Sequence, residues 1–210
     1  MSSLKLKHSG GNAVSLNPPS SAPTSSDVAF KLPNADGSAG QVLKTDGSGN
    51  LSWVDNHPTV VDRWRLTGTI TGAQDPVSSN LTQSNQTGAG KIGTGMSVSS
   101  GIWTFPSAGI YKVDAHWSLQ NGSAAVTWAD MDIKFAQDGT NYSAMARAVA
   151  SISSSGYYTQ CVTSLIVDVT DASVSKLKFK VNYSHASTQI RGDGSGSDYT
   201  WFDFIRLGDT

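Results

Sequence analysis

The sequence contains no glutamate: all sixteen acidic residues among its 210 positions are aspartate. Glutamate is a good helix former that also stabilises helices through capping boxes, whereas aspartate prefers caps and turns. Serine (32), threonine (18) and glycine (21) together fill a third of the chain. This composition argues against a helical or doubly wound protein and favours an all-β protein with many turns.

The scarcity of cysteine and the lack of basic clusters and of long apolar runs exclude further classes of protein. One cysteine, Cys161, cannot form an internal disulfide, and it lies in an alternating strand pattern, which predicts a buried small hydrophobic residue. The net charge is −1 without a lysine or arginine cluster, so we expect no nucleic-acid partner. No apolar run follows the lysines at the N-terminus, and no run reaches the length of a membrane helix. We therefore expect a soluble protein with no signal peptide and no membrane insertion.

Residues 1–58 differ in composition from the remainder, because they are poor in bulky side chains and are interrupted by Pro18, Pro19, Pro23 and Pro33. Their extended patches are too short to bury a core, so the segment is expected either to be disordered or to be completed by other copies or another protein. A hairpin is predicted at 40–54, where two short strands flank the turn residues DGSGN at 46–50.

Residues 60–210 show long period-two alternation, which predicts about eight strands arranged as a sandwich or jelly roll. One face of the pattern at 111–119 carries Tyr111, Val113, Ala115, Trp117 and Leu119. The last strand is apolar on both faces, with Trp201, Ile205 and Leu207 on one and Phe202 and Phe204 on the other. A strand of this kind lies either under a second layer or at a subunit interface, and we favour the interface.

The stretch IWTFPSAGIYKVDAHWSL at 102–119 resembles the central motif of the C1q and tumour-necrosis-factor-like jelly roll. The matching positions are Phe105, Pro106, Gly109, Tyr111 and Val113, and YTWFDFIRL at 199–207 resembles the closing strand of that domain. The resemblance implies a jelly roll at 60–210 that forms a homotrimer with aromatic residues near the threefold axis. The candidate trimer interface consists of Tyr111, Val113, Trp201, Phe202, Phe204 and Ile205.

The segment VAFKLPNADGSAGQVLKTDGSGNLSWV at 28–54 resembles a segment of virion proteins of tailed bacteriophages, especially marine and cyanobacterial phages. The resemblance implies a trimeric appendage on the virion surface, attached to other virion proteins through the N-terminal segment. The chain lacks a collagen-like Gly-X-Y tract and has a short stem, so a short fibre, a neck appendage and a capsid decoration all remain open. The candidate attachment residues are Leu4, Leu6, Val28, Phe30, Leu32, Val42, Leu43 and Trp53.

No residue pattern predicts catalysis, a cofactor or a metal site. The four histidines are scattered, no nucleophile elbow occurs, and the aspartate–glycine loops at 46–50 and 193–198 have too few carboxylates for calcium. Asp130 and Asp132 share one strand face, as the paired carboxylates of a glycosidase would. They alternate with Lys134, as on any solvated face, so we expect a protein that is not an enzyme and keep a polysaccharide-degrading domain as a lesser alternative.

Recognition of a host-surface glycan or protein is the remaining possibility. Trp128, Tyr157 and Tyr158 lie outside the expected core, and their rings are suited to stacking on sugars. Packing of Trp128 between subunits is at least as good an interpretation. The sequence thus predicts a non-catalytic, homotrimeric virion appendage that contacts the host surface, with a capsid decoration or cement protein as the first alternative.

Overall fold

The structure is a computed structural model that describes residues 4–7, 9–11, 13–16, 19–21, 29–87 and 89–210. The chain separates into two compact units, Met1–Asn56 and His57–Thr210. The described residues form strands and turns, and none of them belongs to a helix long and apolar enough to cross a membrane.

The N-terminal unit contains two antiparallel strand pairs. Strand β1 (Leu4–Lys7) pairs with β2 (Ala13–Leu16), and β3 (Gln41–Thr45) pairs with β4 (Leu51–Asp55). Asp46 closes the turn between β3 and β4, because its carboxylate accepts hydrogen bonds from the backbone N–H groups of Ser48 (2.8 Å) and Asn50 (3.1 Å). The side-chain amide of Asn50 also donates to this carboxylate, and these bonds lower the pKa of Asp46.

The C-terminal unit is a sandwich of two antiparallel sheets. The larger sheet has the strand order β6–β15–β10–β16–β5–β7, and β13 pairs with the free edge of β10. Its strands are β5 (Val61–Leu66), β6 (Ile70–Thr71), β7 (Leu81–Gln83), β10 (Gly109–Gln120), β13 (Tyr158–Val169), β15 (Gln189–Ile190) and β16 (Trp201–Gly208).

The smaller sheet has the strand order β12–β11–β14–β9–β8. Its strands are β8 (Ser97–Ser99), β9 (Ile102–Thr104), β11 (Val126–Ala136), β12 (Ser143–Ile152) and β14 (Lys176–Tyr183). The all-β fold class with a jelly-roll sandwich, which the alternation predicts, is confirmed. The long strands β10 and β14 bury every second side chain, as a half-buried sheet requires.

An aromatic cluster joins the two sheets. Trp103 of β9 is fully buried, and its ring centroid lies 4.9 Å from Phe204 and 6.0 Å from Phe202, both on β16. Phe179 of β14 stacks on Phe202 at 4.2 Å, and Trp64 of β5 meets Trp103 edge-on at 5.0 Å. We call these five residues the inner aromatic cluster. Such pairs add to the stabilisation from burial itself.

The thiol of Cys161, on the inner side of β13, packs against the core as a small hydrophobic side chain, and burial raises its pKa to about 11.

Asp62 of β5 is a buried carboxylate that accepts three hydrogen bonds. The donors are the indole N–H of Trp64 (2.8 Å), the Gln83 amide (3.1 Å) and the backbone N–H of Met96 (2.7 Å). Asp62 therefore fixes the segments around residues 83 and 96 to β5.

We expect Trp103→Ala to lower the free energy of unfolding by about 3–5 kcal/mol, because the substitution leaves a cavity at the centre of the inner aromatic cluster. Trp103→Phe should retain most of the stability. The measurement is urea denaturation at one fixed protein concentration, followed by circular dichroism. The control Trp128→Ala removes a partly exposed indole and should cost no more than about 0.5 kcal/mol. Equal stability of Trp103→Ala and Trp128→Ala would contradict the assignment.

Candidate functional site: the outer face of the larger sheet

The outer face of the larger sheet is formed by the side chains of β13, β10, β16 and β5 that point away from the core. The pairing register fixes their neighbours. Lys112 of β10 lies between Ile166 of β13 and Ile205 of β16. Two residues further along β10, Asp114 lies beside Ser164 and Asp203. The face is therefore a set of rows that cross the strands.

One end of this face is apolar. Ile166 is 63% exposed, and Leu207 is 54% exposed. Ile205 and Val61 are partly exposed and are paired in register on β16 and β5. We call these four residues the apolar zone. The aliphatic stem of Lys112 crosses the middle of the zone, while its ammonium group reaches Asp114 at 2.6 Å.

The central rows are polar and internally paired. Arg63 binds Asp203 through two hydrogen bonds of 2.6 Å each, and this contact raises the pKa of the guanidinium. The same guanidinium lies 4.3 Å from the ring centroid of Trp201, whose other neighbour, His116, stacks on it at 5.2 Å. Trp201 is thus held in one orientation between a cation and an imidazole.

The candidate interface residues from the sequence fall on two opposite sides of the larger sheet. Trp201 and Ile205 lie on the outer face and are partly exposed. Four others are fully buried between the two sheets of a single chain: Tyr111, Val113, Phe202 and Phe204. Placing these four at a subunit interface is wrong, because the smaller sheet already covers them. The smaller sheet is a second layer over β16, and it explains why this strand is apolar on both faces.

The candidate recognition residues are exposed near one end of the sandwich but lie on different sheets. Tyr157 is 60% exposed and immediately precedes β13, and Tyr158 is 61% exposed and begins this strand. Trp128 lies on β11 in the smaller sheet, where its backbone exchanges hydrogen bonds with Ser184. Within the described ranges, no ring contact joins Trp128 to either tyrosine.

The connecting segments at this end are joined by Asn121, a residue that no sequence pattern singles out. Asn121 is fully buried, and its side-chain oxygen accepts hydrogen bonds from Ser123 (backbone N–H, 2.9 Å) and from the Ser187 hydroxyl (3.2 Å). Its side-chain amide donates to Thr188, and its backbone carbonyl accepts from the N–H of Gly156. Three connections, β10–β11, β12–β13 and β14–β15, therefore share one buried amide.

The candidate attachment residues of the N-terminal unit are exposed where their side chains are described. Leu32 is 74% exposed, and Leu6, Phe30, Val42, Leu43 and Trp53 are also solvent-accessible. The indole N–H of Trp53 donates to the carbonyl of Ala35 (3.0 Å), and a Cβ at Gly37 would approach the Trp53 ring to 2.6 Å, so this position requires glycine. Leu4 lies in β1, and Val28 lies outside the described residues.

The paired carboxylates Asp130 and Asp132 do not form an open acidic pair. Asp132 is almost fully buried and accepts two hydrogen bonds from the Arg147 guanidinium, at 2.6 and 2.9 Å. This contact raises the pKa of Arg147, whose guanidinium also lies 4.0 Å from Asp130. The Asp132 side chain is also only 2% exposed, so a sugar has no access to this carboxylate. The arrangement is that of a structural ion pair.

Elsewhere on the smaller sheet, lysines are neutralised by one aspartate. Asp75 lies 2.7 Å from the ammonium group of Lys178 and 3.6 Å from that of Lys134. Burial raises the pKa of the Asp75 carboxyl, but the hydrogen bond and the positive charges of these lysines lower it by more. In the parts of the chain that the structure describes, no group of three or more histidine, cysteine or acidic residues is arranged to hold a metal ion.

Comparison with solved structures identifies the fold. Eiger, a TNF from S. frugiperda, superposes with a TM-score of 0.55 and 9% identity over 73% of this chain and 95% of that chain. Murine APRIL superposes with a TM-score of 0.51 and 13% identity, over 70% and 98% of the two chains. No protein-family model matches the sequence, and no curated protein matches it. The chain has a TNF-like jelly-roll fold, and identities this low carry no activity across.

We expect Arg147→Ala to lower the free energy of unfolding, because it removes the guanidinium that binds the buried Asp132 carboxylate; the half-exposed position of Arg147 reduces the usual cost. Replacing both partners, Arg147→Met with Asp132→Leu, should recover at least half of this loss. Thermal and urea denaturation of the single and double variants measure the effect. A single variant as stable as the wild type would show that the carboxylate does not depend on Arg147.

Proposed function

We propose that this protein is a non-catalytic structural component of a tailed-phage virion: a homotrimeric appendage whose jelly roll faces outward and contacts the host surface. The observation that carries the proposal is the apolar zone on the outer face of the larger sheet. An antiparallel sheet with one solvated face normally places polar side chains there. This sheet instead exposes Ile166 and Leu207 by more than half.

Self-association through the apolar zone accounts for these exposed side chains. Burial of apolar surface is worth about 25 cal/mol per Å², so covering several such side chains in each subunit favours assembly. The neighbouring charges do not oppose it, because Lys112 pairs with Asp114 and Arg63 with Asp203 within one chain. The TNF-like fold and the resemblance of residues 102–119 to the C1q and TNF-like motif support three copies related by a closed threefold axis.

The virion setting is supported by the N-terminal unit. Residues 28–54 resemble a segment of tailed-phage virion proteins, and the described part of this unit exposes Phe30, Leu32, Val42 and Leu43. A unit with two short strand pairs and so many exposed apolar residues is suited to docking on another protein. The N-terminal unit is accordingly assigned to attachment and the C-terminal unit to display.

The assembly is tested with a pair of matched variants. Ile166→Lys places a charge in the apolar zone and should convert the trimer into monomers, as measured by light scattering coupled to size-exclusion chromatography. Val149→Lys is the control, because Val149 is 62% exposed and lies on β12 of the smaller sheet; it should leave the trimer intact. A wild-type protein that is a stable monomer at micromolar concentration would contradict the proposal.

The position on the particle is tested by imaging intact virions labelled at the C-terminus of this chain. A few copies at the neck or tail are the expected result for an appendage. Copies at the local threefold positions of the shell would instead establish a capsid decoration protein. Absence of the label from purified particles would contradict the virion assignment altogether.

A further inference from the structure

Arg191 differs from every other arginine in the chain. The sequence has five arginines, and the guanidinium groups of Arg63, Arg147 and Arg206 each bind an aspartate. Arg65 binds the backbone carbonyl of Asp193 and the side chain of Asn85. The Arg191 guanidinium makes no hydrogen bond and no ion pair with any residue that the structure describes. Its five N–H donors are therefore available to a ligand.

The unpaired guanidinium is nonetheless held in place. Its central carbon lies 3.9 Å from the ring centroid of Tyr199 and 4.4 Å from that of Tyr158. The backbone N–H of Arg191 donates to the carbonyl of Ser118 (2.8 Å), which fixes the residue to the end of β10. Contact with two aromatic rings holds the guanidinium without engaging its N–H groups in hydrogen bonds, so these donors remain available to a ligand.

The surroundings of Arg191 offer both apolar and polar contacts. Tyr158 is 61% exposed, so part of its ring is free for a ligand. Beside it in register lies Gln120, whose side-chain amide donates to Gln189, and the amide of Gln189 donates to the hydroxyl of Thr71 at 3.2 Å. Side-chain amides of this kind exchange hydrogen bonds with sugar hydroxyl groups, and tyrosine rings pack on the C–H faces of sugars.

From this arrangement we propose that Arg191, with Tyr158, Tyr199, Gln120 and Gln189, forms a binding site for a saccharide that carries an oxyanion. The guanidinium fork binds the carboxylate or phosphate group through two parallel hydrogen bonds. The exposed ring of Tyr158 packs against the sugar, and the amide row binds its hydroxyl groups. We call these five residues the arginine zone.

The arginine zone is separate from the apolar zone. Tyr158 and Ile166 lie eight residues apart on β13, which corresponds to about 27 Å along the strand. The two zones occupy opposite ends of the same face, so a ligand at Arg191 does not compete with subunits that associate at Ile166. The inference rests on the proposed host contact and gives its ligand a chemical class, a saccharide with an oxyanion. All five residues of the site belong to one chain, so the site does not require the trimer.

The site is tested on the full-length protein by isothermal titration calorimetry with three probes. Trigalacturonate carries carboxylates, glucose 6-phosphate carries a phosphate, and maltotriose is the neutral reference. We expect at least one anionic probe to bind about tenfold or more tightly than maltotriose, and the comparison of the two anions identifies the oxyanion. Equal affinity for charged and neutral probes, or no binding of any of them, would overturn the proposal.

Variants assign the binding to Arg191. Arg191→Gln should weaken the anionic probe about tenfold, and Arg191→Lys should also weaken it, because a lysine keeps the charge but loses the planar fork. Tyr158→Ala should weaken it by removing the ring. Lys180→Gln is the control: it makes the same change in net charge on the smaller sheet and should bind as the wild type does. Unchanged binding by Arg191→Gln would overturn the proposal.

The oligomeric state is measured in parallel, so that the results can refute the saccharide site and the proposed trimer independently of each other. A wild-type monomer that binds the anionic probe refutes the trimer and leaves the site standing. If Arg191→Gln dissociates the assembly and no probe binds the wild type, the partner of Arg191 is a carboxylate of a second copy, and the saccharide site is wrong.

Discussion

The inner aromatic cluster determines which side chains of the sandwich point inward and which point outward. Trp103 and Phe179 come from the smaller sheet, Trp64, Phe202 and Phe204 from the larger, and their rings interlock at centroid distances between 4.2 and 6.2 Å. In a strand, a shift of one residue moves every side chain to the opposite face. Because Phe202 and Phe204 point into the core, the alternating residues Trp201, Asp203 and Ile205 point to the outer face. The chemistry of the outer face follows from the packing of the inner one.

Most of the fold can be predicted from the sequence, because a half-buried strand displays its burial directly as alternation. The patterns at 111–119 and 176–183 correspond to β10 and β14, where every second side chain is buried. Alternation does not say what covers the apolar side of a strand. The resemblance to the C1q and TNF-like jelly roll places Tyr111 and Phe204 at an interface between subunits, whereas the cover is the smaller sheet of the same chain.

The sites were less predictable than the strands because they are made by distant residues. Arg191 meets Tyr158 from a strand 33 positions earlier, and only the pairing of β13 with β10 and of β10 with β15 brings the two together. Likewise, the pairing of β11 with β12 places Arg147 opposite Asp132 and engages the carboxylate in an ion pair. The sequence indicates Tyr158 because this residue lies outside the expected core. No local residue pattern indicates its cationic neighbour, Arg191.

The two zones of one sheet face have different roles in the proposed function. The proposed assembly at the apolar zone draws on the hydrophobic effect, which needs no charge, whereas the proposed binding at the arginine zone depends on one guanidinium and a few polar groups. A single site of that kind binds weakly, since each saccharide ring contributes few contacts. A homotrimer presents the arginine zone three times, and simultaneous engagement raises the apparent affinity for a repeating polymer by orders of magnitude without any new contact. In the proposed trimer, the apolar zone would determine how many sites act together, and the residues around Arg191 would determine which polymer they select.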